Sequence, residues 1–400
     1  MELLAPAGNL EKLKWALAYG ADAVYFGTEF GSLRSFAGNL SFEEAQTAID
    51  LTHAQARKAY VTLNIYPFTE EYDQLRQTAL ILDEMGIDAF IVADLGVLFA
   101  LKQLGVKAVL HLSTQANTTS SATVAAYQEL GVRRVNLARE LSLEQIQAII
   151  RGIDGPMETE VFVHGAVCFS YSGRCAISDY LTGYRANHGE CKHPCRWSYH
   201  LVEEKRPNEY MPVFEDERGL YLFNSKDLAL FEFVPALRQA GVTSFKIEGR
   251  MKSIHYVAST VAFYRQILDG KPVTRAQGFQ WLSRLPHRGY SAGFMKGAIT
   301  PDDYSPGQSK SHATSVFVGN VSGHTDQGES IVEVRNKIHA GDSLEVLTPD
   351  GNLSELQLTT PLMTTQGDCV DFVNNSQYVL VNDTLPIYTI LRRVLKTSLP

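Results

Sequence analysis

The chain has 400 residues, 45% of them hydrophobic and 20% charged, with a formal net charge of −8. That composition excludes a disordered protein, and no apolar run approaches the ~20 residues that cross a bilayer, so no membrane partner is expected. The negative balance excludes coating nucleic acid by bulk electrostatics, which needs a basic field to displace counterions. It leaves room only for a local basic patch at Arg133, Arg134 and Arg139, or at Arg284, His287 and Arg288.

The start, MELLAPAGNL, lacks the basic, apolar and small-residue zones of a secretory signal, so a soluble cytoplasmic protein is expected. Cysteines there stay reduced. Four of the five lie between positions 168 and 195, which points to a metal or redox site more than to disulfides.

In chain order, short apolar strands ending in polar or glycine residues alternate with stretches of helical spacing. Strands are read at 2–7, 23–27, 59–64, 89–94, 108–114, 134–139, 158–165 and 244–249. Between them AGNLEKLKWALAYG and SLEQIQAII carry apolar residues three and four apart, with Ser142 at an N-cap position. Segments such as LKQLGVKAV and RQAGVTSF put glycine where a left-handed C-cap forms. Eight βα units suit a closed TIM-like (β/α)8 barrel over 1–270; a doubly wound open sheet is the rival, because it uses the same local units.

The rhythm breaks after the seventh strand. An insertion at about 166–225 holds the four clustered cysteines and a segment, LVEEKRPNEYMPVFEDERGLYLF, that alternates like a hairpin; NSKDLALFEFVPALRQA then reads as a helix. Loops after barrel strands lie at the catalytic face, so the insertion should cap the active-site mouth. SIHYVASTVAFYRQILDG is an amphipathic helix, 271–310 reads as a Gly/Pro-punctuated connection, and 311–400 alternates as a small antiparallel β-barrel domain.

The cysteine spacing, C-x6-C-x15-C-x3-C, fits a zinc knuckle poorly, since those use tight pairs, while thiolates also hold iron–sulfur assemblies. Zinc and buried unliganded cysteines both stay open on spacing alone. On the eighth strand Lys246, Glu248 and Arg250 alternate with Phe245 and Ile247, so the charged trio should face the barrel mouth, where Lys246 and Arg250 would suit an anion. A purely structural Lys–Glu pair is an equal alternative. Glu160, Phe162 and His164 share a face of the seventh strand; His111, Ser113 and Gln115 share one of the fifth. His111 and His164 are candidates for proton transfer, although a lone histidine is more often structural.

Asn64, Asp94 and Arg139 end strands where they would orient substrate, although helix capping explains Asn64 and Asp94 nearly as well, and Tyr25 would stack a base or simply pack. In the insertion Tyr171, Tyr180, Tyr184, His193, Trp197 and Tyr199 interleave with Arg174, Arg185, Lys192 and Arg196. That mixture binds single-stranded nucleic acid, or packs around a cluster to exclude water.

The stretch EVFVHGAVCFSYSGRCAIS, residues 160–178, resembles the defining motif of the collagenase-like peptidase family U32. The resemblance extends through ELLAPAG, GADAVYFG, LSTQAN, NLARELS, FNSKDL, KIEGRMKS and HRGYSAGF. It implies a [4Fe–4S] cluster on Cys168, Cys175, Cys191 and Cys195 and an oxygen-independent hydroxylase. Length and the single motif copy most resemble the branch that hydroxylates C5 of the wobble uridine in tRNA, with prephenate as hydroxyl donor and ho5U as product. The implied partners are a tRNA anticodon loop and a small dicarboxylate co-substrate. The strand ends, rather than the resemblance, supply the remaining candidates: His164, His111, Glu160 and Glu248 for catalysis, with Lys246, Arg250, Arg139, Tyr25, Asn64 and Gln115 for substrate. A peptidase pairing Cys168 or Cys175 with His164 is the runner-up, and a quinone-precursor hydroxylase or a non-enzymatic RNA-binding protein remain alternatives.

Overall fold

The structure, a computed structural model, describes residues 1–32, 38–168, 170–175, 177–196, 201–203, 206–211, 214–216, 219–221, 225–299, 303 and 311–395, with backbone only at 173, 188, 196 and between 201 and 221. They form two compact units: residues 1–17, 21–252 and 287–311, and residues 18–20, 253–286 and 312–400.

The first unit is a closed parallel barrel. Strands β1 (Glu2–Pro6), β2 (Ala23–Phe26), β3 (Lys58–Leu63), β4 (Ala89–Val92), β5 (Val109–Leu112), β6 (Val132–Asn136) and β7 (Glu158–Gly165) pair in sequence. The eighth barrel strand, Ser244–Ile247, pairs in parallel with both β1 and β7. That double pairing closes the ring and rules out the open sheet. Helices α1 (Leu10–Ala18), α2 (Phe42–His53), α3 (Tyr72–Glu84), α4 (Leu95–Leu104), α5 (Ser121–Glu129) and α6 (Leu143–Arg151) fill the crossovers. Ser142 caps α6 in a reciprocal capping box with Gln145, and Gly105 ends α4 in a left-handed conformation, so each helix stops where the next strand must begin.

The insertion contributes the hairpins Leu201–Glu203 with Arg206–Met211 and Phe214–Asp216 with Gly219–Tyr221, and the short helix α7 (Ile177–Thr182). One expectation fails here. The segment read as a single helix is helical only from Val234 to Ala240 (α8), after a 3-10 turn at Phe231–Phe233. Its first part, Asp227–Ala229, is a buried strand antiparallel to the end of β7. Backbone groups beyond the barrel's own ladder demand partners there, and pairing outweighs local helical preference.

In the second unit, α9 (Ile254–Leu268) carries a nearly continuous buried run, and α10 (Arg275–Leu282) lies inside the stretch read as a connection. Thr274 and Gln277 close a capping box on α10, a sequence signal that the connection reading passed over. The C-terminal strands form an eight-stranded antiparallel sheet over a core of Val318, Val332, Val346, Leu356, Val379 and Leu391. Among the described residues no helix is long and apolar enough to cross a membrane.

Candidate active site at the barrel mouth

Inside the barrel, residues side by side across the ladders form a buried ionic stack. At its base Arg134 contacts Glu2 and donates to Glu158 Oε2 at 2.7 Å, while Tyr60 donates to Glu2 Oε2 at 2.6 Å. One layer up, Glu160 accepts from Lys246 Nζ at 2.8 Å, from Asn136 Nδ2 at 2.7 Å and from Ser244 Oγ at 3.3 Å, with Arg134 Nη1 at 3.5 Å. Arg134 is therefore interior, which removes it from the basic patch considered from the sequence; Arg284, from the other one, is paired with Glu345. Buried ions persist only when paired and hydrogen-bonded, and each of these has at least one opposite charge in reach.

Above the stack lies a cavity of about 150 Å³ at the strands' C-terminal ends. Lys246, Glu248 and Arg250 all line it, as the alternation on the eighth strand predicted. Lys246 Nζ sits 4.5 Å from the Tyr25 ring centroid and 5.3 Å from that of Phe162, and the Arg139 guanidinium is 3.9 Å from the Phe162 centroid. Tyr25 donates to Ile247 O at 2.9 Å and to Glu248 Oε2 at 3.3 Å. Asn64 Nδ2 donates to Gln115 Oε1 at 2.7 Å, which also accepts from Ser113 at 2.9 Å. Tyr25, Asn64, Gln115 and Arg139 thus share one cavity with the charged trio. Asp94 does not line it and caps α4 by accepting from Val97 N at 3.0 Å.

Arg250 is held by three separate segments of the chain. Its Nη1 donates to Ser32 Oγ at 2.8 Å and Thr62 Oγ1 at 3.2 Å, and its carbonyl accepts from Lys12 Nζ at 3.0 Å. A Cβ on Gly8 would stand 1.9 Å from the Arg250 carbonyl oxygen, backbone against backbone. Gly8→Ala should therefore destabilise the protein by about 1–3 kcal/mol, read as a lower denaturant midpoint; an unchanged midpoint would show that the two loops are not held in contact.

Glu160, His111 and His164 do not line the cavity. Glu160 lies below it as the anchor of Lys246. His111 is buried against Tyr60, ring centroids 4.8 Å apart, and its Nδ1 has no hydrogen-bond partner among the described residues. Burial, reinforced by the charges of Arg134 and Lys246, drives its pKa well below the usual range.

His164 departs from simple alternation for a definite reason. Phe162 pairs with Lys246, but His164 pairs with Ile247, so β7 carries one extra residue at this point. The bulge turns His164 to the face of Ile247, away from Phe162, where its ring lies 5.7 Å from that of Tyr290. Tyr290 in turn stacks on His287 at 4.4 Å.

Burial pushes the His164 pKa down to about 3, against the attraction of Asp227. The unfolded chain, with a histidine near 6.5, binds that proton first. Stability from His164 is therefore complete above about pH 6.5 and lost as pH falls toward 3, by about 1.4 kcal/mol per unit. His164→Phe should flatten the decline of the unfolding midpoint between pH 7 and 5; an unaltered slope would show that His164 is protonated in the fold.

The insertion is tied to the mouth by specific bonds. Glu140 accepts from Ser172 N at 2.6 Å and Ser172 Oγ at 3.0 Å, and Ser172 Oγ also reaches Asn117 Oδ1 at 2.9 Å. Ser172 and Asn117 hold φ of 46° and 58°, a conformation uncommon without glycine and sustained here by those bonds. Arg174 Nε donates to Tyr66 Oη at 3.2 Å and Gln115 O at 3.1 Å, and Arg139 Nη1 to Ala166 O at 3.3 Å.

These ties bring Cys168, Cys175, Cys191 and Cys195 to the same cavity as Lys246 and Arg250. Cys168 is exposed and the other three are half-buried, and the Ile177 amide donates to Cys175 Sγ at 3.4 Å. Among the described residues no three His, Cys, Asp or Glu side chains are grouped to hold a metal ion as they stand.

A closed β/α barrel with a cysteine-bearing cap over a cationic mouth defines the class of this protein. The family model described as peptidase family U32 matches residues 8–303, and that of its C-terminal domain matches residues 313–392. The chain belongs to peptidase family U32. It is similar to the "tRNA hydroxylation protein P" of Escherichia coli, 39% identical over 88% of this chain and 87% of the relative. It is also similar to the "tRNA hydroxylation protein P1" of Bacillus subtilis, 36% identical over 87% and 84%. The "Collagenase" of Porphyromonas gingivalis is 28% identical over 87% and 86%.

Proposed function

We propose that this protein is an enzyme that hydroxylates tRNA, acting at C5 of the wobble uridine without molecular oxygen, with prephenate as hydroxyl donor and ho5U as product. The observation that carries the reading is the convergence of four cysteines and three cations, Lys246, Arg250 and Arg139, on one cavity at the barrel mouth. Two relatives whose names record tRNA hydroxylation, similar over most of their length, set the reaction class.

Cys168, Cys175, Cys191 and Cys195 would hold a [4Fe–4S] cluster. The donor set suits it, since four residues with soft sulfur ligands line one cavity. When bound, such a cluster supplies one-electron redox chemistry.

The protein's own residues do the rest. A dicarboxylate matches Lys246, which Glu160 holds in place, and Arg250, which Ser32 and Thr62 orient. Tyr25 and Phe162 give a ring an aromatic wall. Glu140 and Glu248 are the carboxylates among the lining residues, and Glu140 is engaged by Ser172. Glu248, which accepts from the Tyr25 hydroxyl, is the carboxylate placed to take up a proton, with His193 the histidine in the lining; His111 and His164 lie outside the lining, and burial makes them weak bases.

At the mouth the Arg185 guanidinium lies 5.0 Å from the Phe68 ring and Lys192 Nζ 4.3 Å from the Tyr184 ring, with Tyr171 and Tyr180 exposed. Aromatic faces beside cations suit the unpaired bases of an anticodon loop, which flip at little unstacking cost. The Arg196 side chain, Trp197 and Tyr199 lie outside the described residues.

The peptidase alternative loses its expected apparatus, because the bulge in β7 directs His164 away from the cavity that Cys168 and Cys175 line. The deciding experiment compares modified nucleosides in tRNA, by mass spectrometry, from cells with and without the gene. Loss of 5-hydroxyuridine or its derivatives on deletion is expected; an unchanged nucleoside profile would sink the proposal.

A further inference from the structure

The second compact unit holds a cavity of about 290 Å³ lined entirely by its own residues. Its charged lining consists of Arg284, Glu345 and Arg392. Arg392, on the strand Ile390–Val394, neighbours Glu345 across the ladder and donates from Nε to Glu345 Oε1 at 2.6 Å. Arg284 grips the same carboxylate at both oxygens, Nε to Oε1 at 3.1 Å and Nη2 to Oε2 at 3.2 Å. One carboxylate therefore serves two guanidinium groups.

The imbalance falls on Arg392. Its side chain has no exposed surface, and neither Nη1 nor Nη2 has a hydrogen-bond partner among the described residues. A buried cation with two idle donors is strongly unfavourable, and a guanidinium edge matches two oxygens of a planar or tetrahedral anion. Elsewhere the lining is apolar or neutral: Phe263 and Trp281, with ring centroids 5.9 Å apart, Val273, and the amide of Gln280.

We propose that this cavity binds a small organic anion with a carboxylate or phosphate head directed to Arg392 and a ring-sized body along Phe263 and Trp281. The excess of one positive charge matches a monoanion. Because Arg392 is covered, the head enters by displacing its contact with Glu345, which remains held at both oxygens by Arg284. Glu345 is thus the ligand's competitor as well as its neighbour.

The test titrates the full-length protein with benzoate, with phenyl phosphate and with neutral benzyl alcohol, following tryptophan fluorescence; Trp281→Phe assigns the signal. A saturable change with one or both anions and none with the alcohol is expected, and the stronger anion identifies the head group. Arg392→Met removes the excess charge and should weaken binding about tenfold or more. Glu345→Gln removes the competitor and should tighten it. No saturable response to either anion, an equal response to benzyl alcohol, or affinities indifferent to both substitutions would overturn the site. Should Arg392→Met fail to fold, Glu345→Gln decides alone: tighter binding supports the proposal, and unchanged or weaker binding refutes it.

Discussion

Glu160→Ala should destabilise the protein by about 3–5 kcal/mol, the range for stripping one partner from a buried ion pair. Glu160 is 2% exposed and accepts from Lys246, Asn136 and Ser244. Alanine would leave Lys246, in the cavity wall, with no ion-paired carboxylate among the described residues, and would take one of three carboxylates from Arg134. Glu160→Gln keeps the side chain's shape and an acceptor oxygen but not its charge, so it should fall between wild type and alanine. Denaturant midpoints of the three proteins, with equal slopes, are the measurement. Equal stability of wild type and alanine would mean that the ionic stack inside the barrel contributes nothing to holding it closed.

Cys191→Ser should abolish both iron binding and tRNA hydroxylation while leaving the barrel folded. Cys191 lies in the insertion, half-buried and lining the cavity, so on the proposed reading its loss removes a cluster ligand without touching the barrel's interior strands. Serine keeps nearly the same size but replaces a soft thiolate by a hydroxyl that stays protonated near neutrality, a poor iron ligand. Protein purified without oxygen should lose its visible absorption and bound iron on this change, with an unfolding transition close to wild type. Undiminished iron would remove Cys191 from the ligand set; lost iron with retained 5-hydroxyuridine would separate the cluster from catalysis.

Much of the site was legible because barrel strands convert alternation into direction. Lys246, Glu248 and Arg250 were placed at the mouth from spacing two apart, although the strand itself ends at Ile247; Ser113 and Gln115 reach it from a 3-10 turn beyond β5 rather than by strand alternation. His164 was misplaced because a bulge shifts the period by one residue, and nothing local to VFVHGA announces it. Glu160 and His111 were put on the correct interior face but at the wrong depth. Alternation fixes which side a residue faces, whereas depth depends on the stagger between strands, which only the pairing reveals.

The strand Asp227–Ala229 was read as helix because its partner, the end of β7, is more than sixty positions away in sequence. The four cysteines were conspicuous as a spacing. What brings them to the cavity was not, since Glu140, Asn117 and Ser172 are ordinary polar residues until the loops meet.

The clamp on Arg250 has a consequence for how the mouth moves. Lys12 and Gly8 follow β1, Gly27 and Ser32 follow β2, and Thr62 ends β3, yet all meet at one residue beyond the eighth strand. None of these segments can move away by itself without breaking a contact to Arg250. The rim near Arg250 will therefore breathe as one cooperative segment, and slow amide exchange there would be shared across residues distant in the chain. Natural variation should obey the same bond: a length change in one of these loops is tolerated only with a compensating change in its neighbours.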